Sequence, residues 1–273
     1  MLNDSAMIAH RERPLRLLVL IPAHDEEANI VRLIRETKRN VQSLPADVKA
    51  EILVVDDCSG DRTAELASAE DVLTLRLSIN LGYGGALRTG YTFAVRKGFD
   101  AVVQLDADGQ HDPASIGALL EPIRQNEADV VLGSRWLSPR GYRMPLLRRA
   151  GQWFFRNAMR LLGGGKIGDA TSGYQVLSSR VVGMFVSEEF PADYPDANVL
   201  LLLKLLGVRV VEKPAVFHER RDGRSMHSGL RQAVLYPLKM VFSMIAVALR
   251  VRFGLEKGFS QSPKQDNSRI GSC

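Results

Sequence analysis

The sequence predicts an α/β protein: a mainly parallel β-sheet covered on both faces by helices. Three observations carry this. Apolar runs such as LRLLVLI (15–21) and EILVV (51–55) are continuous rather than alternating, as in strands buried on both faces. Amphipathic stretches of helical length separate them, which makes crossover units. Each run is followed by a loop that carries oxygen-bearing residues, and in such sheets ligands bind beyond the carboxyl ends of the strands. Residues 22–26, 56–61 and 106–110 therefore belong to one rim.

Taken in order, residues 15–21 form the first strand, stopped by Pro22, and a helix follows over 26–37 with apolar residues at Ile30, Val31, Leu33 and Ile34. Residues 51–55 form a second strand ending at Asp56 and Asp57. The next helix spans 61–69, with Asp61 as its N-cap. Residues 72–77, 101–105 and 129–132 supply three more strands. The loop NLGYGGALR (80–88) lies between strand and helix, and its glycines let a backbone approach a ligand closely or simply start a helix. It has neither Walker A spacing nor a dinucleotide-type glycine pattern after the first strand, where IPAHD stands instead, so a P-loop ATPase and a nicotinamide enzyme are disfavoured.

The segment AVVQLDADGQHDP (101–113) is the most informative. An apolar strand ends in Asp106, Asp108 and Gln110, and alternation along an extended backbone puts them on one side. Two carboxylates and an amide oxygen suit Mg²⁺ or Mn²⁺ completed by an anionic co-ligand such as a diphosphate. Asp, Gly and Pro are also plain turn residues, so a solvated strand exit is the competing reading.

The chain has 273 residues, 45% hydrophobic and 25% charged, enough for one large core plus an appendage. Its formal charge is +5, and residues 130–168 contain no Asp or Glu but hold Arg135, Arg140, Arg143, Arg148, Arg149, Arg156, Arg160 and Lys166. That run predicts an anionic partner. Nucleic acid is the least favoured, because the run lacks the aromatic interleaving of a single-strand platform. Cys58 and Cys273 form no disulfide framework, and the N-terminal residues lack a secretory h-region, so a cytoplasmic location is expected. MVFSMIAVAL (240–249), flanked by Lys239, Arg250 and Arg252, is too short to span a bilayer and reads as a core helix or a helix lying on a membrane. The expected organisation is a flexible arm at 1–14, a catalytic domain at 15–230, an amphipathic membrane-proximal helix at 231–257 and a disordered tail at 258–273.

Read together, IPAHDEEANI, VVDDCSGDRTAE, NLGYGGALRTGY, VVQLDADGQHDP and VLGSRW, followed by DATSGYQVLS and VVEKPAVFHERRDGRS, resemble the family 2 nucleotide-sugar glycosyltransferases of GT-A fold. Within them the chain is most similar to the dolichol-phosphate mannosyltransferase and polyprenyl-phosphate glycosyltransferase branch. The resemblance implies that Pro22, His24 and Glu26 contact the nucleotide, with His24 where Tyr is usual. It places Val55 and Asp57 at base and ribose, with Cys58 in place of the usual Gly. It makes Asp106, Ala107 and Asp108 the metal motif, joined by Gln110. It assigns Arg135 and Arg149 to the acceptor phosphate and Arg220 to the donor diphosphate, while Met226 stands where Lys is common.

The implied reaction moves a sugar from a GDP-mannose or UDP-hexose type donor to a polyprenyl or dolichyl phosphate, with inversion, at the cytoplasmic face of the membrane. The protein would be peripheral there, with a small membrane-protein subunit as a further expected partner. An anionic phosphate acceptor needs no general base. The alternative is a soluble family 2 enzyme acting on the hydroxyl of a saccharide or small metabolite, for which Asp193 or Asp196 would supply the base.

Overall fold

The computed structural model describes residues 13–137, 146–165, 167–170, 172–186, 197–218 and 230–254, with the side chains of 146–152 and 230–239 left out. Strands β1 (Leu15–Ala23), β2 (Val48–Asp56), β3 (Leu73–Arg76), β4 (Ala101–Gln104), β5 (Val130–Ser134), β6 (Gln175–Ser178) and β7 (Val210–Pro214) form one sheet in the order β3-β2-β1-β4-β6-β5-β7. All neighbouring pairs are parallel except those made by β6, which runs antiparallel between β4 and β5. The mainly parallel sheet predicted from sequence is thus correct. β6 and β7 were not predicted; both are short, and Gln175 and Ser178 interrupt the apolar signal of β6.

Side-chain alternation along β1 explains the continuous apolar run. Leu18 and Leu20 enter one core with α3 (Gly82–Lys97), α5 (Leu146–Leu161), α6 (Ser179–Val186), α7 (Ala197–Leu205) and α8 (Leu230–Arg252). Leu17, Val19 and Ile21 enter the other, with α1 (Ile30–Gln42), α2 (Thr63–Ala69) and α4 (Ile116–Arg124). From Leu17 to Ile21 both faces of the strand are dry, so no polar position is tolerated there.

Several predicted boundaries shift, each for a local reason. Pro22 does not stop β1. The Leu20 carbonyl accepts from Leu105 N–H on the β4 side, so Pro22, two residues on, faces that side beyond the end of β4, where its missing N–H costs no ladder bond. The first helix starts at Ile30 rather than at residue 26, because 27–29 form a turn closed by the Glu26 carbonyl. Helix α2 starts at Thr63; Asp61 Oδ1 still accepts from Thr63 N (2.9 Å), so the carboxylate serves the helix start from two residues outside. Arg13, expected in the flexible arm, donates from Nη1 and Nη2 to the two carboxylate oxygens of Asp100, each at 2.9 Å, so the folded chain reaches at least to Arg13.

The chain winds outward from β1 to β3, then returns across the sheet to β4 on the other side of β1. The order reverses between β1 and β4, and the loops leaving their carboxyl ends diverge there, which opens a crevice.

Candidate active site

Four loops meet at that crevice. After β1, His24 is exposed and its Nδ1 lies 2.9 Å from the Asp57 carbonyl, which makes Nδ1 the protonated nitrogen, while Asn80 Nδ2 approaches the ring at 3.3 Å. Glu26 is buried. Its backbone N–H donates to Thr63 Oγ1 and its carboxylate accepts from Asn29 Nδ2, both at 2.8 Å. After β2, Asp57 is buried and its Oδ1 accepts from Leu81 N at 2.7 Å, tying this loop to the start of α3. Cys58 has φ +57°, the left-handed region that favours glycine, which accounts physically for glycine being usual at this position. Val55 is wholly buried in the core with its register partner Pro22 beside it, so its side chain does not reach the rim.

The loop after β4 departs from the sequence argument. The strand ends at Gln104, residues 107–108 turn, and Gly109 has φ +72°. The two-residue alternation inferred for Asp106, Asp108 and Gln110 therefore does not extend along this segment. What holds the carboxylates is hydrogen bonding. Asp106 Oδ1 accepts from Tyr83 OH at 2.8 Å, His111 Nε2 lies 3.5 Å from Asp106 Oδ2, and Asp108 Oδ1 accepts from Gln110 N at 3.0 Å. The Gln110 carbonyl accepts from His218 N at 2.8 Å. Ala107, the first residue of the turn, is buried. A Cβ at Gly173 would fall 3.3 Å from Asp106 Oδ2 and 3.5 Å from Tyr83 Oη, so this glycine lets the β6 segment pass directly under the carboxylate.

His111 is the hub. Its Nδ1 accepts from Asp106 N at 3.1 Å, and burial lowers its pKa to about 3, so the imidazole is neutral with its proton on Nε2. The ring stacks on Tyr174 with centroids 4.8 Å apart and meets Phe217 edge-on at 5.3 Å. The Arg135 guanidinium, leaving the end of β5, sits 4.5 Å over the other part of this aromatic group, the Phe217 ring. Asp108 and Arg135 both act electrostatically on His111, in opposite senses.

Arg135 is anchored from behind. Asp169 Oδ2 accepts its backbone N–H at 3.1 Å and Asp169 Oδ1 lies 3.6 Å from Nη1. Asp169 is completely buried, and burial raises its pKa even against the Arg135 guanidinium. Glu212 on β7 holds this corner by accepting from Gly168 N (2.7 Å) and Asp169 N (2.8 Å).

The structure thus gathers Asp106, Asp108, Gln110 and Arg135 around one aromatic cluster, with His24, Glu26 and Asp57 on adjoining loops. Arg220, Asp193 and Asp196 lie outside the described residues, as does the Arg149 side chain, whose backbone is in α5. Sequence reasoning missed His111, Tyr83, Gln104, Asp169, Gly173 and Glu212. Only Gln104 announced itself, as a polar residue inside an apolar strand.

Among the described residues, no three His, Cys, Asp or Glu side chains converge tightly enough to enclose a cation. Two half-buried carboxylates on one short turn fit a hard divalent ion that takes its remaining oxygens from a ligand and from water.

The model of the Glycosyl transferase family 2 matches residues 18–182, well over half of the chain. An undecaprenyl-phosphate mannosyltransferase from Micrococcus luteus is 30% identical over 253 residues, covering 88% of this chain and 100% of its own. A polyprenol monophosphomannose synthase from Mycolicibacterium smegmatis is 30% identical over 235 residues, covering 80% and 84%. Among solved structures, glucosyl-3-phosphoglycerate synthase from Mycobacterium tuberculosis, in complex with Mn²⁺, UDP-glucose and phosphoglyceric acid, superposes with a TM-score of 0.61 at 17% identity, over 87% of this chain and 80% of that one. That likeness is one of fold, the GT-A fold expected from sequence. With the family model spanning β1 to α6 and the carboxylate turn, and relatives aligned over most of their lengths, the chain belongs to glycosyltransferase family 2 and is a glycosyltransferase.

Proposed function

We propose that this enzyme transfers a glycosyl group from a nucleotide-sugar to a polyprenyl phosphate at a membrane surface, with Mg²⁺ or Mn²⁺ bound. The observation that carries the reading is the continuous contact path from the carboxylate turn to an arginine: Asp106 against His111, His111 against Phe217, and Phe217 under Arg135. Donor-diphosphate chemistry and an anionic acceptor need this juxtaposition of carboxylates and a fixed cation. The two relatives named for undecaprenyl-phosphate and polyprenol substrates, aligned over most of their lengths, support the acceptor class.

Asp106 and Asp108, with Gln110, would hold the metal, which when bound supplies charge neutralisation to the leaving diphosphate. His24, Glu26 and Asp57 line the nucleotide side of the crevice. Arg135, pre-set by Asp169 and Phe217, binds and orients the acceptor phosphate. Arg149 and Arg220 join it on the family pattern. Because a phosphate oxygen is already anionic, positioning and electrostatics suffice without a base. Single displacement with inversion follows.

Membrane contact is supported by two helices. α8 buries Met240, Met244 and Val247 while Phe242, Ile245 and Leu249 are exposed on the opposite side, and Phe253 just past its end is exposed too, so the helix serves the core with one face only. α5 touches α8 and exposes Trp153, Phe154 and Leu161. Arg160, Arg250 and Arg252 border these side chains in sequence. No helix among the described residues is long and apolar enough to cross a membrane.

The test is to incubate the full chain with labelled GDP-mannose, UDP-glucose and UDP-N-acetylglucosamine, Mn²⁺ and undecaprenyl phosphate in anionic vesicles. Lipid-extractable label from one donor is expected. Label transferred only to a saccharide or phosphoglycerate hydroxyl would replace this reading with the soluble alternative. The Trp153→Ser/Phe242→Ser pair is expected to abolish co-sedimentation with the vesicles, and unchanged sedimentation would remove the membrane face.

A further inference from the structure

We infer that Tyr83 and Gln104, backed by Tyr91, are positioning residues that aim the Asp106 carboxylate at the divalent cation. The inference rests on the metal-site reading above. Three hydrogen bonds run from the core to the rim: Tyr91 OH to Gln104 Oε1 at 2.8 Å, Gln104 Nε2 to Tyr83 OH at 2.5 Å, and Tyr83 OH to Asp106 Oδ1 at 2.8 Å.

Their direction is forced by the donor inventory. A phenol keeps its proton at neutral pH and has only one to give, while an amide oxygen can only accept. Tyr91 is buried on α3 and gives its proton to Gln104 Oε1, which turns the amide nitrogen toward Tyr83. Tyr83 accepts from that nitrogen, so its own single proton goes to Asp106. Gln104 is itself buried at the last position of β4, two residues before Asp106, and so transmits the position of the sheet to the carboxylate. The opposite oxygen faces the protonated Nε2 of His111 at 3.5 Å, and Gly173 closes the floor. A carboxylate held at Oδ1 through a buried chain, with His111 beside Oδ2, is pre-set in one orientation. Outer partners of this kind change metal affinity by about 10- to 100-fold when removed.

The experiment titrates Mn²⁺ into the full chain with GDP or UDP present and follows the free-Mn²⁺ electron paramagnetic resonance signal. Asp108→Asn serves as the variant that locates the site. Tyr83→Phe is expected to raise the Mn²⁺ Kd about tenfold while folded. Tyr91→Phe, which touches neither the carboxylates nor the crevice loops, is expected to raise it in the same direction. Without the Tyr91 proton the Gln104 amide can turn over and draw the Tyr83 proton away from Asp106, a loss that a purely structural role for Tyr91 would not produce in metal affinity. If Asp108→Asn abolishes Mn²⁺ binding but both tyrosine variants bind as wild type, the relay is overturned and the metal site stands. If wild type and Asp108→Asn bind alike, the metal reading itself fails and the relay with it. Should Tyr83→Phe not fold, Tyr91→Phe alone decides, an unchanged Kd overturning the inference.

Discussion

Replacing Arg135 by alanine tests the corner proposed to bind the acceptor, and its cost can be worked from the structure. Asp169 is wholly buried and would lose the guanidinium, 3.6 Å from its Oδ1, while keeping the backbone N–H of residue 135 at 3.1 Å. Stripping one partner from a buried ion pair costs about 3–5 kcal/mol. Here the guanidinium is 20% exposed and the backbone donor survives, so about 2 kcal/mol is the expectation. For a chain of this size that corresponds to a melting temperature lower by about 4–8 °C. The pH dependence identifies the cause. Burial already raises the folded pKa of Asp169 above its ordinary 3.8, with Arg135 opposing the shift. Between the unfolded and the folded pKa, the folded state binds more protons, so stability falls as pH rises through that window and stays lower above it. Without the guanidinium the folded pKa rises further and the window extends upward. The deficit relative to wild type should therefore be largest at high pH, where Asp169 is charged in both proteins, and shrink as pH falls and Asp169 becomes protonated in both. Arg135→Ala/Asp169→Asn should recover most of the loss, since asparagine keeps an oxygen for the backbone N–H and carries no charge. It should not recover use of the proposed lipid acceptor. Thermal melts across pH decide the matter: a deficit independent of pH, or a double variant no more stable than the single one, would refute the reasoning.

Asp108→Asn should lower turnover by at least about 100-fold, because it removes the charge of a proposed metal ligand while its retained oxygen can still accept from Gln110 N. A circular dichroism melt should match wild type, and wild-type turnover would refute the assignment. Gly90→Ala should destabilise despite the better helix propensity of alanine. Its Cβ would overlap the fully buried Leu20 and fall 2.6 Å from Cδ2, an overpacking worth about 1–3 kcal/mol against a propensity gain near 1 kcal/mol. Urea denaturation at constant m-value measures the difference, and an unchanged midpoint would show that Leu20 has room to move.

Much of the site was legible because its chemistry is local. Asp106, Asp108 and Gln110 fall within five residues, and the oxygen-rich ends of β1 and β2 announce a rim before any pairing is known. The alternation of an extended strand nonetheless does not reach Gln110, since the Asp-Gly turn bends the backbone at Gly109. His111 and Asp169 were not legible: a histidine among turn residues and an acid after glycines look like surface groups until long-range packing buries them. Phe217 illustrates the same limit. It lies more than a hundred residues from His111, yet it carries Arg135 to the carboxylate turn.

The sequence by itself determined the layered α/β architecture and the loops that form the rim, because burial on two faces and strand-terminating acids are written into neighbouring residues. Only the tertiary structure decided the strand order, the antiparallel insertion of β6, and which groups clamp Asp106 and Arg135. Those outcomes depend on contacts between segments far apart in the chain, where local propensity has no say. A carboxylate's role is set by the donors that reach it, and those donors arrive through the fold.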